Sequence, residues 1–228
     1  MTIFRFVLKR FLRNPANVLL VTLLPIAVVF MPPSGWFPLP MGFQYFGMVL
    51  MFIAARMGTI VMEDRIKGTL LRIGLAPVKH SQYLWQTLAA FALILVGVSG
   101  IVVALGTAVH GNRLVAPGTL FLVFSCFSIA SLGFSLAWFS LFRNREGAVA
   151  TITGVIPLMM MLGGIMWPVQ AMPSLFQRLA MLVPTYWLTK GLLSAADGAR
   201  LLGLGLPLGL MLLYSAAFVL LGSMRRLI

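Results

Sequence analysis

The chain alternates between long apolar runs and short segments that carry most of its charge. Six of these runs approach or exceed the length that a helix needs to cross about 30 Å of hydrocarbon. They predict six transmembrane helices, of which the first is short, within one domain that covers residues 1–228. The chain is thus predicted to be an all-α integral membrane protein. The predicted spans are about 16–31, 41–62, 83–109, 117–142, 148–168 and 201–222.

A basic amphipathic segment, residues 1–14, precedes the first run. Its apolar positions recur with helical spacing, and its basic residues lie mostly on the opposite face. This pattern predicts a helix that lies in the membrane interface. The alternative is the basic start of a signal peptide, but no small-residue cleavage site follows the first apolar run. The apolar positions are Phe4, Val7, Leu8, Phe11 and Leu12.

The composition agrees with a membrane protein, because 61% of the residues are hydrophobic and only 9% are charged. A soluble protein of this size would need more charge to cover its surface. The net charge of +13 raises the possibility of nucleic-acid binding. However, the basic residues are spread between the apolar runs and do not form one stripe, so we expect lipid headgroups to be their partners and expect no nucleic acid.

The basic residues also predict an orientation. If both termini lie in the cytoplasm, most of the lysines and arginines fall in the cytoplasmic segments, as the positive-inside rule requires. We therefore expect a multi-pass protein of a bacterial inner membrane with cytoplasmic termini. Arg56 lies near the inner end of the second span, where its side chain is expected to extend towards the cytoplasm.

Residues that could carry out bond chemistry are few and scattered. Cys126 lies within an apolar run, and His80 and His110 fall in separate loops, so neither a nucleophile with its base nor a metal-ligand spacing is present. No acidic residue lies deep in a span, which argues against an ion-coupled carrier. The sequence also has no phosphate-binding loop. If ATP drives this protein, ATP and Mg must therefore be bound by a partner, and we expect no catalytic, metal or cofactor site in this chain.

The segment between the second and third spans, residues 63–79, has acidic residues first and basic residues later. That order matches the dipole of a short helix, and Gly74 and Pro77 are suited to end it. The pattern predicts a short amphipathic helix on the cytoplasmic side. From the pattern alone, it is either a docking element that transmits motion from an ATPase or an ordinary interfacial helix.

Two stretches resemble ABC-2 type permeases. Gly68-Thr69-Leu70, which follows Glu63-Asp64, and then Ala76-Pro77-Val78 match the region between the second and third spans of that family. A second stretch, residues 172–187, resembles the family's external segment before the last span. Leu71 departs from the family pattern, in which an acid often follows Gly-Thr-Leu.

This resemblance implies a family architecture and a set of partners. Two six-span subunits pair as a homodimer or a heterodimer, and two ABC ATPase subunits bind beneath them. Residues 63–76 act as the coupling helix, and short re-entrant helices within about 169–198 cap the outer exit. The implied ATPase-coupling residues are Glu63, Asp64, Arg65, Lys67, Gly68, Thr69, Leu70, Arg72 and Pro77, and the re-entrant residues are Pro173, Pro184, Tyr186 and Trp187.

Adaptable side chains within the spans are candidates for a substrate path, although such residues often simply face lipid or core. Small residues such as Gly97, Gly205 and Gly209 are predicted to allow close helix packing within the subunit. The candidate path residues are Phe43, Phe46, Met159, Met160 and Met166.

The function predicted from the sequence is that of a permease subunit of an ATP-driven exporter. Its cargo would be hydrophobic or amphipathic, such as a drug, an antimicrobial peptide or a lipid-like molecule. The permease would take this cargo from the cytoplasm or the inner leaflet and release it outward. The scarcity of charge within the spans favours an apolar or uncharged cargo. The alternative is an accessory or immunity subunit in the membrane that binds a partner or a toxic peptide without transporting it.

Overall fold

The structure is a computed structural model of the protein. It describes residues 2–32, 37–66, 80–111, 114, 116–198 and 201–224. These residues form an all-α bundle. The helices are α1 (Thr2–Leu12), α2 (Pro15–Val29), α3 (Met41–Ile66), α4 (His80–His110), α5 (Pro117–Leu141), α6 (Arg145–Leu162), α7 (Ser174–Ala180), α8 (Pro184–Ala196) and α9 (Leu201–Met224), with a 3₁₀ turn at Val169–Ala171 before α7.

Five of the helices, α3, α4, α5, α6 and α9, are long and apolar enough to cross a membrane. The remaining predicted span, about 16–31, corresponds to α2, which is bent by 77° from α1 and counts as a span only together with it. Asn14 lies at the bend, where its side chain accepts a hydrogen bond from the Ala16 amide at 3.0 Å and caps α2. With five or six candidate spans, the chain is a multi-pass membrane protein.

The two central helices are α3 and α5, which pack against each other. Helices α2 and α6 both pack on α3, whereas α4, α8 and α9 pack on α5. The contact between the central helices is aromatic, since the rings of Phe46 and Phe124 meet edge to face with their centroids 4.9 Å apart.

Close helix packing uses glycines other than Gly97, Gly205 and Gly209, although a Cβ atom at Gly100, another predicted packing residue, would lie 3.5 Å from the ring of Phe121. A Cβ atom at Gly97, Gly205 or Gly209 would meet nothing within 4 Å, so the prediction of packing within the subunit is wrong at these positions. At Gly133, by contrast, a Cβ atom would lie 3.0 Å from the Ser215 carbonyl oxygen, which shows how closely α5 and α9 approach. Spacing along the sequence did not reveal which side of each helix meets a neighbour.

The amphipathic α1 packs along α4 through its apolar face. Val7 and Phe11 are buried, and the Phe11 ring lies 5.9 Å from the ring of Phe91. Leu12, which the pattern placed on the same face, is exposed, because it is the last residue of the helix. The apolar face of α1 thus covers protein surface.

Helix α6 ends at Leu162, earlier than the predicted limit of about 168. Gly163 caps the helix, and Gly164 adopts a positive φ of 83°, which favours glycine and turns the chain away. The chain then forms α7 and α8. Helix α8 is largely buried and packs against α5 and α9.

Candidate functional site

The charged contacts of the bundle concentrate at one end, which we call the basic end. It comprises α1, the last turns of α3, the first turns of α4, and the link at residues 142–144 with the start of α6. The other end, which carries the start of α3 and the end of α4, is called the opposite end. The segment predicted to couple to an ATPase leaves α3 at the basic end.

Asp64 is the most buried charge at the basic end, with 5% of its surface exposed. Arg10 Nη1 donates to both of its carboxylate oxygens, at 2.7 and 2.8 Å. The Tyr83 hydroxyl also donates to Oδ2 at 2.8 Å. A buried carboxylate is stable only when its oxygens are paired in this way. Asp64 therefore ties the end of α3 to both α1 and α4.

Glu63, the preceding residue, forms an ion pair with Arg145, with an N–O distance of 3.2 Å. This pair is more exposed than that of Asp64 and links α3 to the first residue of α6. The start of α6 is fixed locally by Asn144, whose side chain accepts a hydrogen bond from the Glu146 amide at 3.0 Å. Two consecutive acidic residues thus connect the end of α3 to three other helices.

A cleft of about 780 Å³ opens beside the Glu63–Arg145 pair. Charged side chains line it on both α3 and the start of α6, together with small apolar residues of α6. Its shape and charge suit a docking surface for a polar partner element. The lining residues are Glu63, Ile66, Arg143, Asn144, Arg145, Glu146, Val149 and Ala150.

Among the predicted coupling residues, only Glu63, Asp64 and Arg65 fall within the described part of the chain, in the last turns of α3. The structure brings the first two together with residues that the sequence did not single out, namely Arg10, Tyr83 and Arg145. The sequence does contain one signal for these ion pairs. It has 17 basic and only 4 acidic residues, so each acidic residue has many possible basic partners. The remaining predicted residues, Lys67, Gly68, Thr69, Leu70, Arg72 and Pro77, lie outside the described residues.

The predicted path residues occupy two different environments. Phe43, Phe46 and Met160 are fully buried, so they belong to the core in this conformation. Met159 and Met166 are half-buried. A role of these five residues in a substrate path stays a prediction.

The predicted external residues lie around α7 and α8. Pro173 precedes α7 as its N-cap, and Pro184 opens α8 in the first-turn position where proline is favoured. Tyr186 is buried in α8. The half-buried Trp187 donates from Nε1 to the Met181 carbonyl at 3.0 Å. The Trp187 contact ties the first turn of α8 to the end of α7.

Two threonines that the sequence analysis did not identify fasten α8 to the end of α6. Thr185 Oγ1 donates to the Met159 carbonyl at 2.6 Å, and Thr189 Oγ1 donates to the Gly163 carbonyl at 2.7 Å. The Gly163 carbonyl lies at the cap of α6, beyond the last helical amide, so the Thr189 hydroxyl supplies a donor that the helix lacks. The Met159 carbonyl also accepts from the Gly163 amide at 2.8 Å, and the Thr185 hydroxyl adds a second donor to it.

No group of three or more histidine, cysteine or acidic side chains within the described ranges is arranged to hold a metal ion. The site is an ionic junction between helices, and the described residues offer no constellation for bond chemistry.

Comparison with known proteins gives one family. The profile of the family described as "ABC-2 family transporter protein" matches residues 11–224. No individual curated protein matches significantly. Because the family match spans nearly the whole chain, from α1 to the end of α9, the protein belongs to the ABC-2 transporter family.

Proposed function

We propose that this chain is the permease subunit of an ATP-driven exporter and that a separate ABC ATPase supplies the energy. The ABC-2 family is a membrane transport component that has no catalytic activity of its own and normally works with an ATPase subunit. The complex would contain two permease subunits and two ATPase subunits, which bind ATP and Mg. The cargo would be hydrophobic or amphipathic and would move outward from the cytoplasm or inner leaflet.

The observation that carries this proposal is the junction at the end of α3. The predicted coupling segment continues directly from residues 63–66, where Glu63 contacts α6 and Asp64 contacts α1 and α4. A displacement of this segment by an ATPase would therefore reach three helices at once. An ordinary interfacial loop would not need such connections.

The charge distribution and the α7–α8 pair support the proposed orientation. The basic end carries α1 and the basic link, which favours the cytoplasmic side, with both termini cytoplasmic. Tyr214, in the middle of α9, donates to the Leu182 carbonyl at 2.9 Å. The α7–α8 turn therefore reaches the level of the middle of α9, as a re-entrant cap of the outer exit would.

Co-purification tests the proposal. The tagged chain, expressed with its native neighbours and extracted in mild detergent, is expected to bring along a soluble chain with a phosphate-binding loop. Reversing the charge of Lys67 or Arg72 should lower the amount of this ATPase. Arg178→Glu is the matched control, because Arg178 is exposed on α7, away from the basic end.

Transport gives a second test. Gly68→Pro is expected to abolish export and leave membrane insertion intact, since proline breaks a helix interior. Normal export by this variant would contradict the coupling assignment. Repeated purification without any ATPase would contradict the exporter itself and favour a membrane-embedded accessory or immunity subunit.

A further inference from the structure

One face of the central helix α3 is left open along most of its length. From Met41 to Asp64, every residue is buried except for a set with helical spacing. We call this set the open stripe. Helices α2 and α6 pack on α3, so the stripe faces the space between them. Its half-buried members are Met41, Tyr45, Met48, Val49, Phe52, Arg56, Ile60 and Glu63.

Arg56 is the one charged residue of the open stripe that lies inside the predicted second span, 41–62. It is ten residues before the end of α3, about 15 Å along the helix axis from Ile66. Its Nε donates to Asn17 Oδ1 at 3.0 Å, and Nη1 makes a long contact of 3.4 Å with Thr59 Oγ1. Asn17 is buried in the first turn of α2, so the polar site lies where α2 begins.

The partners of Arg56 are neutral. All four acidic side chains of the sequence fall within the described residues, and none of them forms an ion pair with Arg56. Asp64 pairs with Arg10 and Glu63 with Arg145, whereas Glu146 begins α6 and Asp197 ends α8. A cation within a span is costly unless it is paired or serves a ligand. The chain thus leaves a positive charge in the open stripe that nothing in the described structure neutralises.

The guanidinium also has donors to spare. It carries five N–H groups, and the two contacts described above use only two of them. Asn17 holds the side chain by Nε and Thr59 contacts one N–H of Nη1, which leaves the second N–H of Nη1 and both N–H groups of Nη2 to address a ligand. Such a fork matches the geometry of a phosphate or a carboxylate, which it can bind through two parallel hydrogen bonds.

The remainder of the open stripe provides an apolar surface for the hydrocarbon tail of a ligand whose anionic group binds Arg56. From Arg56 towards the opposite end, it presents Phe52, Val49, Met48 and Tyr45. Helix α2 has only 15 residues, or about 22 Å, and is therefore shorter than the hydrocarbon layer of about 30 Å. If α2 crosses this layer, its two ends come within the hydrocarbon boundaries, which would place its first turn, and Arg56 with it, near the depth at which an inner-leaflet headgroup joins its tail.

We propose that Arg56, positioned by Asn17 and Thr59, binds the anionic headgroup of an amphiphile whose tail lies along the open stripe, and that such an anionic amphiphile is the cargo. The cargo half of this inference rests on the exporter function proposed above. It replaces the expectation of an uncharged cargo with a molecule that carries a phosphate or carboxylate at one end.

Binding is tested on the purified full chain, without an ATPase. Native mass spectrometry would follow the titration of the chain with phosphatidylglycerol and, in parallel, with phosphatidylcholine. The wild type is expected to prefer phosphatidylglycerol, and Arg56→Gln should weaken that binding by about tenfold, the effect expected for a lost charge-assisted hydrogen bond. Arg56→Lys keeps the charge and loses the fork, so its affinity should fall between the two.

Arg178→Gln is the matched control, since it removes one arginine from the exposed surface of α7 and should leave lipid binding unchanged. Equal phosphatidylglycerol binding by wild type and a monodisperse Arg56→Gln variant would overturn the headgroup site. A variant that does not purify as a monodisperse species is replaced by Asn17→Leu, which removes the positioning group and should also weaken binding.

Transport separates a cargo from a resident lipid. In proteoliposomes containing the chain and its co-purified ATPase, labelled phosphatidylglycerol should move with ATP in the wild type and not in Arg56→Gln, while labelled phosphatidylcholine should not move. ATP-driven transport that does not discriminate headgroup charge would overturn the cargo assignment, although the headgroup site could stand. The absence of any associated ATPase would instead contradict the proposed exporter, and the binding titration would still decide the role of Arg56.

Discussion

The two ends of α3 are held by different kinds of contact. At the basic end, Asp64 and Glu63 form ion pairs with arginines of α1 and α6, beside an open cleft. At the opposite end, the Gln44 side-chain amide donates to the Ile165 carbonyl, and the ring of Phe43 packs against His110. The basic end uses charged contacts, buried at Asp64 and partly exposed at Glu63, whereas the opposite end uses uncharged hydrogen bonds and close packing.

This difference has a mechanical consequence. A partly exposed ion pair such as Glu63–Arg145 contributes little free energy and can exchange partners without opening a cavity. Buried hydrogen bonds and close-packed rings are lost only at a larger cost, because the freed groups find no water. We therefore expect α3 to move against its neighbours at the basic end and to stay fixed at the opposite end.

The largest effect should come from disturbing the opposite end at Gly42. A Cβ atom at this position would overlap the carbonyl oxygen of Val28, a backbone atom of α2 that cannot turn aside. Gly42→Ala should lower the free energy of unfolding by about 3 kcal/mol or more. Thermal unfolding in detergent would measure the loss.

Gly97→Ala is the matched control, because a Cβ atom there would meet nothing within 4 Å. Alanine also favours the helix, so this variant should be as stable as the wild type or slightly more so. Equal melting temperatures for the two alanine variants would mean that α2 and α3 are not in close contact at this point.

The second effect concerns the buried ion pair of the basic end. Asp64→Asn removes the charge that faces Arg10 and Tyr83, and the free energy of unfolding should fall by about 2 kcal/mol. The measurement is a double-mutant cycle with Arg10→Gln. Because both changes remove the same pair, the double variant should lose less stability than the sum of the single variants. Strict additivity would contradict the pairing.

A smaller effect is expected where α8 meets α6. Thr189→Val keeps the shape of the side chain and removes the hydroxyl that donates to the Gly163 carbonyl, which should cost about 1 kcal/mol. Thr153→Val serves as the control, since the Thr153 hydroxyl is exposed and bonds only to the Val149 carbonyl of its own helix. If the two valine variants were equally stable, the hydroxyl of Thr189 would not fasten α8.

Most of the fold could be predicted because the long apolar runs directly indicate helices that cross a membrane. The limits of α3, α4, α5 and α9 lie within a few residues of the predicted spans. The end of α6 was misplaced, because the apolar run continues through Gly163 and Gly164 while the backbone turns there. Hydropathy measures the preference of a segment for an apolar environment. A turn inside the bundle also lies in an apolar environment, because neighbouring helices surround it, so hydropathy does not distinguish such a turn from a continuing helix.

The site was predicted only in part for a similar reason. Glu63 and Asp64 stand out in the sequence because acids are rare, but their partners come from distant segments, 54 residues away for Arg10 and Asp64. Arg56 was recognised only as a cation near the end of a span. Its neutral partners, Asn17 and Thr59, depend on how α2 packs on α3, which no local pattern records.

At the Glu63–Arg145 pair, we expect the smallest effect on stability together with a large effect on transport. This pair is the more exposed one, so Arg145→Gln should change the free energy of unfolding by less than about 1 kcal/mol, and 1 M salt should remove the difference. If the junction transmits motion from the coupling segment to α6, the same variant should nevertheless slow ATP-driven transport.

Charge exchange separates this effect from a general loss of charge in the cleft. Glu63→Arg combined with Arg145→Glu re-creates an ion pair at the same place and should restore transport that either single change impairs. Arg143→Gln removes a charge from the same cleft without breaking the pair and should be nearly neutral. If the exchanged pair were as inactive as the single variants, the contact between α3 and α6 would be a by-product of packing, and the mobile end of α3 would have to act through Asp64 alone.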